Sequence, residues 1–536
     1  MNNRLNNLAA ENPERLGAIL PLRSIGWRGE GRGEVRLSVA SVRPATLSPL
    51  TLTLSPLRGE GTGSGRLTTF ARFALPLCVL FFLSGCARFQ THPLAPEKSA
   101  AMLDARRLDD TGLKKFFATN SISAPETWPL PKWDLNSLTL AAFYFHPNLT
   151  VARAQWQLAD AGVKTAGGRP NPTLSVTPSY NSTTLIPSAW APSVNFDIPI
   201  ETMGKRGKRI AEAEKISESA RWNFVSAAWS VRSGVRTALA EFANAQRRRP
   251  LLQRQLAAQR EIVSLMQGSF DAGATSRPEL TTAQMAFGKM QLEVSSAEAK
   301  FAETRSRLAE ALGVSSAALE GIVFQTDFSA GAPSDLPSEA ARHAALVGRA
   351  DIRAALADYA AAENNLRLEI AKQFPDVHLN PGYQFDQGDN KWSLGLTVEL
   401  PILNQNQGAI AESRARRELA AAKFLQLQSQ IIAQVERAVA GWQSAQGLLK
   451  TSGELLAAAQ RQQQSIAAQV QAGAAAKMDS AAAEIELASV RLAQLDSEAQ
   501  AQSALGALED ALQSPADAIA AVIEKISSET PKRKKP

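Results

Sequence analysis

Length, composition and charge exclude several classes of protein. The chain has 536 residues, 45% of them hydrophobic, which excludes wholesale disorder and allows two or three domains. The formal net charge is +7, but residues 1–85 hold ten of the 58 basic and five of the 51 acidic residues. The remaining 48 basic and 46 acidic residues include the basic tail 532–535, so the body of the chain is close to neutral. We therefore expect no nucleic-acid partner.

An apolar run precedes Cys86 directly. Residues 73–85 are too few to cross a bilayer as a helix, but they suit the core of a secretory signal. The end of this run, Leu83-Ser84-Gly85-Cys86, resembles the bacterial lipobox. The resemblance implies that residues 66–85 are a signal peptide and that Cys86 carries a covalent lipid, including palmitate. The alternative is a cysteine that stands there by chance.

The segments that flank the body show no regular period. Residues 1–65 repeat themselves crudely, with Trp-Arg-Gly-Glu-Gly at 27–31 and Leu-Arg-Gly-Glu-Gly at 57–61. We expect this doubtful leader to lie upstream of the true translation start or, alternatively, to be disordered. Residues 86–133 are predicted to be an extended N-terminal linker, and residues 516–536 a disordered basic tail.

The body contains two copies of one plan, predicted at 134–330 and 331–515. Several residues recur at an offset of 200 or slightly more, and they recur in the same order. These residues are Val231, Val235, Ala238, Leu239, Phe242 and Gly273, matched by Ile431, Val435, Ala438, Val439, Trp442 and Gly473. Pro172, Pro178 and Tyr180 are matched in the same way by Pro375, Pro381 and Tyr383.

Each copy contains two segments in which apolar and polar residues alternate. They predict four strands, at about 172–181, 192–199, 375–386 and 391–400. One apolar face, with Tyr180, Tyr383 and Trp392 near the turns, is typical of a membrane barrel wall, although a soluble two-sheet protein would alternate similarly. The lipobox favours the barrel. Because about eight strands are the fewest that enclose anything, several chains must share one barrel.

Long helical patterns follow each pair of strands. They predict helical hairpins at about 205–312 and 408–514, with Gly273 and Gly473 at the turns. Shorter helices are predicted before the strands, at about 147–166 and 350–372. Some 65 residues of helix would reach roughly 100 Å. Coiled-coil-like packing fits these patterns, and a soluble coiled-coil rod is the alternative.

The order of these elements over about residues 134–515 resembles the TolC-like outer-membrane efflux factor family. The resemblance implies an α+β membrane protein with long α-helical hairpins, which forms a homotrimer with a twelve-stranded barrel and a periplasmic helical tunnel. It implies a lipid-anchored outer-membrane exit duct that receives substrates from a proton-driven inner-membrane pump through a periplasmic adaptor protein. Four carboxylates would line the lumen: Asp197, Asp376, Asp386 and Glu399.

The same resemblance assigns roles to the hairpin turns. The adaptor would contact the tips at Ala272, Gly273, Ala274, Ala472, Gly473 and Ala474. Asp479 stands at the first of two positions that carry gating aspartates in some family members, while Ala482 stands at the second. Asp479 is therefore either a periplasmic gate residue or a plain helix N-cap.

The segment Pro199–Arg206 resembles the family branch that serves heavy-metal cation pumps. It also marks the point where a strand leaves the bilayer, so Lys205, Arg206, Lys208 and Arg209 could meet lipid headgroups or a polar surface. Two other functions stay open. One is a multidrug or type I protein secretion duct of the same fold, and the other is a structural coiled-coil lipoprotein without a pore.

Catalytic chemistry has no visible basis in the sequence. The four histidines are His92, His146, His343 and His378, and no two stand at metal-ligand spacing. Neither a phosphate-binding loop nor a nucleophile elbow occurs. We therefore expect no enzyme activity, no bound metal and no cofactor beyond the lipid on Cys86.

Overall fold

The computed structural model describes residues 89–120, 127–182, 188–325 and 339–513. Cys86, the leader, the signal segment and the basic tail lie outside these ranges. The described residues from Pro93 onward belong to one compact unit.

Two helices precede the first repeat, and a third opens it. Helix α1 spans Pro96–Asp104, α2 spans Thr111–Asn120 and α3 spans Leu135–Phe145. The prediction of an extended linker over 86–133 is therefore wrong for α1 and α2. The reason is tertiary, because the apolar residues of α2 pack into the core of the first repeat, with Leu113 and Phe117 buried.

The first repeat follows the predicted order closely. After α3, its elements are α4 (Pro147–Ala166), β1 (Thr173–Thr177), β2 (Ser193–Ile200), α5 (Lys205–Asp271), α6 (Arg277–Leu312) and a 3₁₀ turn (Ser316–Leu319). Strand β1 is shorter than the predicted 172–181. Beyond it, Tyr180 pairs with Trp190 in an isolated antiparallel bridge, so the pairing resumes after the interruption at Pro178.

The second repeat has the same order. Its elements are α7 (Glu339–Gly348), α8 (Ala350–Ala371), β3 (Val377–Asp386), β4 (Asp389–Val398), α9 (Gln407–Gln471) and α10 (Lys477–Leu512). The short helix α7 stands before α8 as α3 stands before α4. Strands β3 and β4 form a tight hairpin over Gln387 and Gly388, whose φ angles are 54° and 100°. Two consecutive positive φ values suit the right-handed twist of a two-residue hairpin.

The repeated residues form the core of both hairpins. Val231, Val235, Ala238, Leu239 and Phe242 are buried on α5, and their five counterparts are buried on α9. The first core is larger, because α2, α3 and Trp133 add to it, whereas the second core consists mainly of residues from α9 and α10 with Ile352. The offset of 200 in the sequence therefore reflects equivalent packing positions.

The helices form a layer with two open sides. In the half that carries the tips, α6 packs on α5, α5 on α10, and α10 on α9. In the half next to the strands, α4 packs on α5, α5 on α8, and α8 on α9. Each half is thus a row of four helices, with α9 at one edge and α4 or α6 at the other.

Ion pairs join the two repeats where α5 meets α10. Glu509 Oε2 lies 3.1 Å from Arg232 Nη1 and 3.3 Å from Arg236 Nη1, and the Arg232 side chain is only 1% exposed. A Cβ added to Gly506 would lie 1.2 Å from Arg236 Nη2, so the glycine makes room for this guanidinium. Further along the same helices, Arg248 Nη1 lies 2.8 Å from Asp496 Oδ1.

Candidate functional site

The four strands form one antiparallel sheet in the order β1-β2-β3-β4. Strands β2 and β3 join the two repeats, with Ile198 opposite Leu379 and Ile200 opposite Val377. The sheet therefore mixes both repeats, and its edge strands are β1 and β4.

One face of the sheet is apolar across all four strands. Directly opposed residues share a face, and the register pairs Leu174 with Phe196 and Leu379 with Leu396. Most of this face is open to solvent in a single chain. Its large exposed side chains are Leu174, Val176, Phe196, Ile198, Ile200, Trp392, Leu394 and Leu396. A contiguous apolar surface of this kind marks a contact with lipid or protein.

Aromatic rings lie together at one end of this sheet. Tyr180 and Trp190 have centroids 5.1 Å apart, and Tyr383 and Trp392 have centroids 4.9 Å apart. Both pairs lie at the end of the sheet where β1 leads into β2 and β3 turns into β4. Trp190 was missed in the sequence, because it stands outside the alternating segments. An aromatic belt beside an apolar face is typical of a membrane-water boundary.

The opposite face is polar, and its carboxylates occupy different positions. Asp197 and Asp386 lie within β2 and β3, but Asp376 precedes β3 and Glu399 follows β4. Asp376 is engaged at the end of the sheet, where its Oδ1 accepts hydrogen bonds from Lys205 Nζ at 2.8 Å and Thr202 N at 2.9 Å. The four predicted carboxylates therefore do not form one row.

The strand-to-helix junction of the first repeat is built from the Pro199–Arg206 segment. Glu201 forms an ion pair with Arg209, and Lys205 forms one with Asp376. Arg206 Nε donates to the carbonyl of Gly167 at 2.7 Å, at the end of α4. Lys208 Nζ donates to the carbonyl of Met203 at 2.6 Å.

The sequence left lipid headgroups or a polar surface as possible partners of these four basic side chains, and in the single chain they contact polar groups. All four bind groups of the chain itself, because β2 and α4 end at this junction, β3 begins there, and the residues around them offer carboxylates and carbonyls. Backbone carbonyls at the end of α4 attract cations through the negative end of the helix dipole. The Pro199–Arg206 segment therefore connects the sheet to the helices through these contacts.

The two tip turns have the same geometry. Ala274 N donates to Ser269 O at 2.8 Å and Gly273 N to Phe270 O at 2.9 Å, while Ala474 N and Gly473 N make the equivalent pair of bonds. This is the Schellman arrangement, in which a residue with positive φ ends the helix. Gly273 and Gly473 supply φ angles of 73° and 74°. Ala272, Ala274, Ala472 and Ala474 are exposed beside them.

Asp479 is tied to the start of α10. The helix has Ala476 at its N-cap, so Asp479 is the third helical residue rather than the N-cap itself. Its Oδ2 accepts a hydrogen bond from Ala476 N at 2.9 Å. Glu279 is the equivalent residue of the first repeat and accepts bonds from both the N–H and the hydroxyl of Ser276, each at 2.8 Å. Both carboxylates cap helices.

Exposed apolar side chains recur at heptad spacing on the edge helices. Helix α4 has Val151 and Leu158, and α6 has Met285 and Leu292. Helix α9 carries two further pairs with the same spacing, Leu425 with Ile432 and Leu448 with Leu455. Residues seven apart lie on one face of a helix, as in the seam of a coiled coil. The open edges of the helical rows are therefore apolar.

Two kinds of feature are absent from the part of the chain that the structure describes. Among residues 89–120, 127–182, 188–325 and 339–513, no helix is both long and apolar enough to span a bilayer. Within those same ranges, no three His, Cys, Asp or Glu side chains are grouped so that they could hold a metal ion.

Solved structures share this arrangement. VceC from Vibrio cholerae is 21% identical, with a TM-score of 0.58, and the match covers 70% of this chain and 95% of that protein. CmeC from Campylobacter jejuni is 15% identical, with a TM-score of 0.59, over 74% of this chain and 89% of that protein. Both are outer-membrane proteins by description, and at these identities the likeness concerns the fold.

Sequence comparison gives a curated relative and a family. Nodulation protein T of Rhizobium leguminosarum bv. trifolii is 28% identical over 218 residues, 37% of this chain, and the match spans only 44% of that protein. The model of the outer membrane efflux protein family matches residues 144–314 and 341–513. These two segments correspond to the two repeats and cover most of the described chain. The chain therefore belongs to the outer membrane efflux protein family.

Proposed function

We propose that this chain is the outer-membrane channel of a tripartite efflux system, in which three copies form one continuous exit duct. Each copy would contribute four strands to a twelve-stranded barrel and a row of four helices to a tunnel in the periplasm. Substrates would pass through it passively, after delivery by an inner-membrane pump and a periplasmic adaptor.

The observation that carries this proposal is that the sheet and the helical rows are open at matching edges. The sheet ends at β1 and β4, and the helical rows end at α4 or α6 and at α9. In chain order β1 follows α4, and α9 follows β4, so the edges of both layers lie on the same two sides. A ring of copies would pair both sets of edges at once and leave no open strand in lipid.

The surface chemistry supports the same assembly. The exposed apolar face of the sheet suits acyl chains, and the polar face suits a water-filled lumen. The heptad-spaced residues on α6 and α9 would meet between neighbouring copies, where burying them removes apolar area from water. Three copies follow from the family resemblance, since four strands each give twelve.

Further parts of the proposal concern the two ends of the duct. Cys86 would anchor each copy to the outer membrane through its covalent lipid. The tips around Gly273 and Gly473 would contact the adaptor, and Asp479 would stand near the periplasmic opening. The exposed Ala-Gly-Ala turns support this, because small side chains let a partner approach the backbone closely.

Oligomer mass and conductance test the channel. We expect the purified full chain to be a trimer by light scattering and to conduct ions in planar bilayers. Replacing Leu292 by Glu on α6 should reduce trimer formation strongly, while the control Ile216→Glu on the inner helix α5 should reduce it little. A trimer that never conducts would leave the rod-like envelope lipoprotein as the better explanation.

For the cargo we propose heavy-metal cations. The Pro199–Arg206 segment supports this by its resemblance to the metal-exporting branch, although its side chains make the junction described above. Deletion of the gene should lower tolerance to divalent metal ions and leave tolerance to drugs unchanged. A fall in drug tolerance alone would replace metal export by multidrug export, with the same duct.

A further inference from the structure

The polar face of the sheet carries charge at two levels. The first lies at the β3–β4 turn, where Lys391 Nζ is 2.7 Å from Asp386 Oδ2 and Asp389 lies opposite Asp386. The second lies near the helical end of the sheet, where Asp197 on β2 meets His378 on β3. Along β3, eight residues separate His378 from Asp386, which corresponds to about 27 Å of extended strand.

Between the two levels the polar face is uncharged. The residues there on β2, β3 and β4 are Asn195, Asn380, Gly382, Gln384, Ser393 and Gly395. Two of them are glycines, which have no side chain to project from this face. Asp197 is therefore the fixed charge that borders this uncharged stretch on the helical side, ahead of the Lys205–Asp376 ion pair, whereas Asp386 pairs with a lysine.

The Asp197 carboxylate is positioned by its neighbours. His378 Nδ1 lies 2.8 Å from Asp197 Oδ1, at hydrogen-bond distance. With its proton on Nδ1, a neutral imidazole donates this bond and leaves the carboxylate negative. Across the strands, Thr173 lies opposite Asp197 and Thr397 lies opposite His378. The carboxylate is 45% exposed, so it is held in place and still open to ions in water.

We propose that Asp197, held by His378, makes the barrel lumen selective for cations. The inference rests on the proposed function, because only a closed ring of copies brings several Asp197 residues to one level. Three carboxylates at that level would attract cations and repel anions, and the low-dielectric wall behind them would strengthen the field. Asp197 and His378 would then be the residues that set which sign of ion crosses the outer-membrane part of the duct.

The reversal potential of single channels under a KCl gradient at pH 8 tests this inference. In Asp197→Asn we expect the potassium-over-chloride permeability ratio to fall about twofold or more. Asn380→Asp adds a carboxylate on the same face and should raise the ratio. The control Asp104→Asn removes an exposed carboxylate from α1, away from the strands, and should leave the ratio unchanged.

A second variant keeps the test decisive if Asp197→Asn assembles poorly. His378→Lys places a fixed cation beside Asp197 and should lower the ratio at least as much. If conducting trimers of both variants keep the wild-type ratio, the inference is overturned and the duct remains. If the wild-type trimer does not conduct, the proposed channel fails instead, so the two failures are distinguishable.

Discussion

The two repeats have equivalent residues in their cores and differ where other segments of the chain contact them. Their buried positions correspond residue by residue, and their tip glycines have φ angles one degree apart. In contrast, α2 and Trp133 add to the core of the first repeat beside α3, whereas in the second repeat α7 packs on α8, α9 and α10 without a further helix before it among the described residues. The helices of each hairpin therefore pack in the same way in both repeats. The repeats differ where the residues before the first repeat pack against it.

The junctions between strands and helices differ in the same manner. The first repeat uses ion pairs through Glu201 and Lys205. In the second, Asn406 donates to Glu369, and the neighbouring Ile402 and Leu403 are exposed. The second junction also has an ion pair, between Lys372 Nζ and Glu369 Oε1 at 2.7 Å, but its partners are three residues apart, whereas Lys205 and Asp376 of the first junction come from different repeats.

The strongest test of the difference in cores is a pair of tryptophan truncations. Trp133 is fully buried against Phe117, and its backbone pairs with Val323 and Gln325. Trp133→Ala should cost about 3–5 kcal/mol. The loss should appear in α2, α6 and the middle of α5, as faster amide hydrogen exchange detected by mass spectrometry.

Trp442→Ala is the same type of truncation in the second core, at the position that Phe242 occupies in the first. It should cost about the same, since Trp442 is also buried, but its effect should concentrate in α9 and α10. If either variant loosened both hairpins equally, the two cores would be one cooperative unit, and the contrast drawn between the repeats would be incorrect.

The ion pairs between α5 and α10 provide the next largest effect. Glu509→Gln removes the carboxylate that contacts Arg232 and Arg236, and because this site is buried we expect a loss of about 3 kcal/mol. Asp496→Asn is the control on the same helix pair, where both partners are about half exposed, so we expect less than about 1 kcal/mol. Thermal unfolding followed by circular dichroism compares the two, and equal losses would contradict the role given to burial.

Much of this fold could be predicted because its signals are local and repeated. The long helices lack internal stops apart from Pro250, and glycine marks both tips, so the helix ends agree with the prediction within about two residues. The alternation of apolar and polar residues indicated the two faces of the sheet, since side chains alternate along any strand.

Features that depend on distant contacts could not be predicted. Helix α2 packs into the core of the first hairpin through Leu113 and Phe117, and no pattern within residues 86–133 identifies that partner. Asp197 and His378 are 181 residues apart, and their pairing depends on the register of β2 against β3. The basic residues after Pro199 have a pattern that suits either headgroups or internal carboxylates, and only the position of Asp376 decides between them.

A smaller effect should follow from completing the cap of the second tip. Ser276 donates its hydroxyl to Glu279, but Ala476 has no hydroxyl to offer Asp479. Ala476→Ser should therefore stabilise the start of α10 by about 0.5–1 kcal/mol. Slower exchange of the first amides of α10 measures the gain. The neighbouring Ala475→Ser lies outside the cap and should give none; a gain there would show a general effect of serine at the tip.

Acidification should weaken the cap of the first tip, although Glu279 is fully exposed and the effect should be slight. Hydrogen bonds from the Ser276 N–H and hydroxyl lower the pKa of Glu279 below its ordinary value. A carboxyl whose pKa is lowered by folding stabilises the folded state above its ordinary pKa, near 4.3–4.5, and loses that contribution as the pH falls through the lowered value. Between pH 6 and pH 3, exchange at the start of α6, corrected for its intrinsic pH dependence, should therefore accelerate in the wild type. In Glu279→Gln the side chain cannot titrate, so an equal acceleration in that variant would assign the pH response to another group.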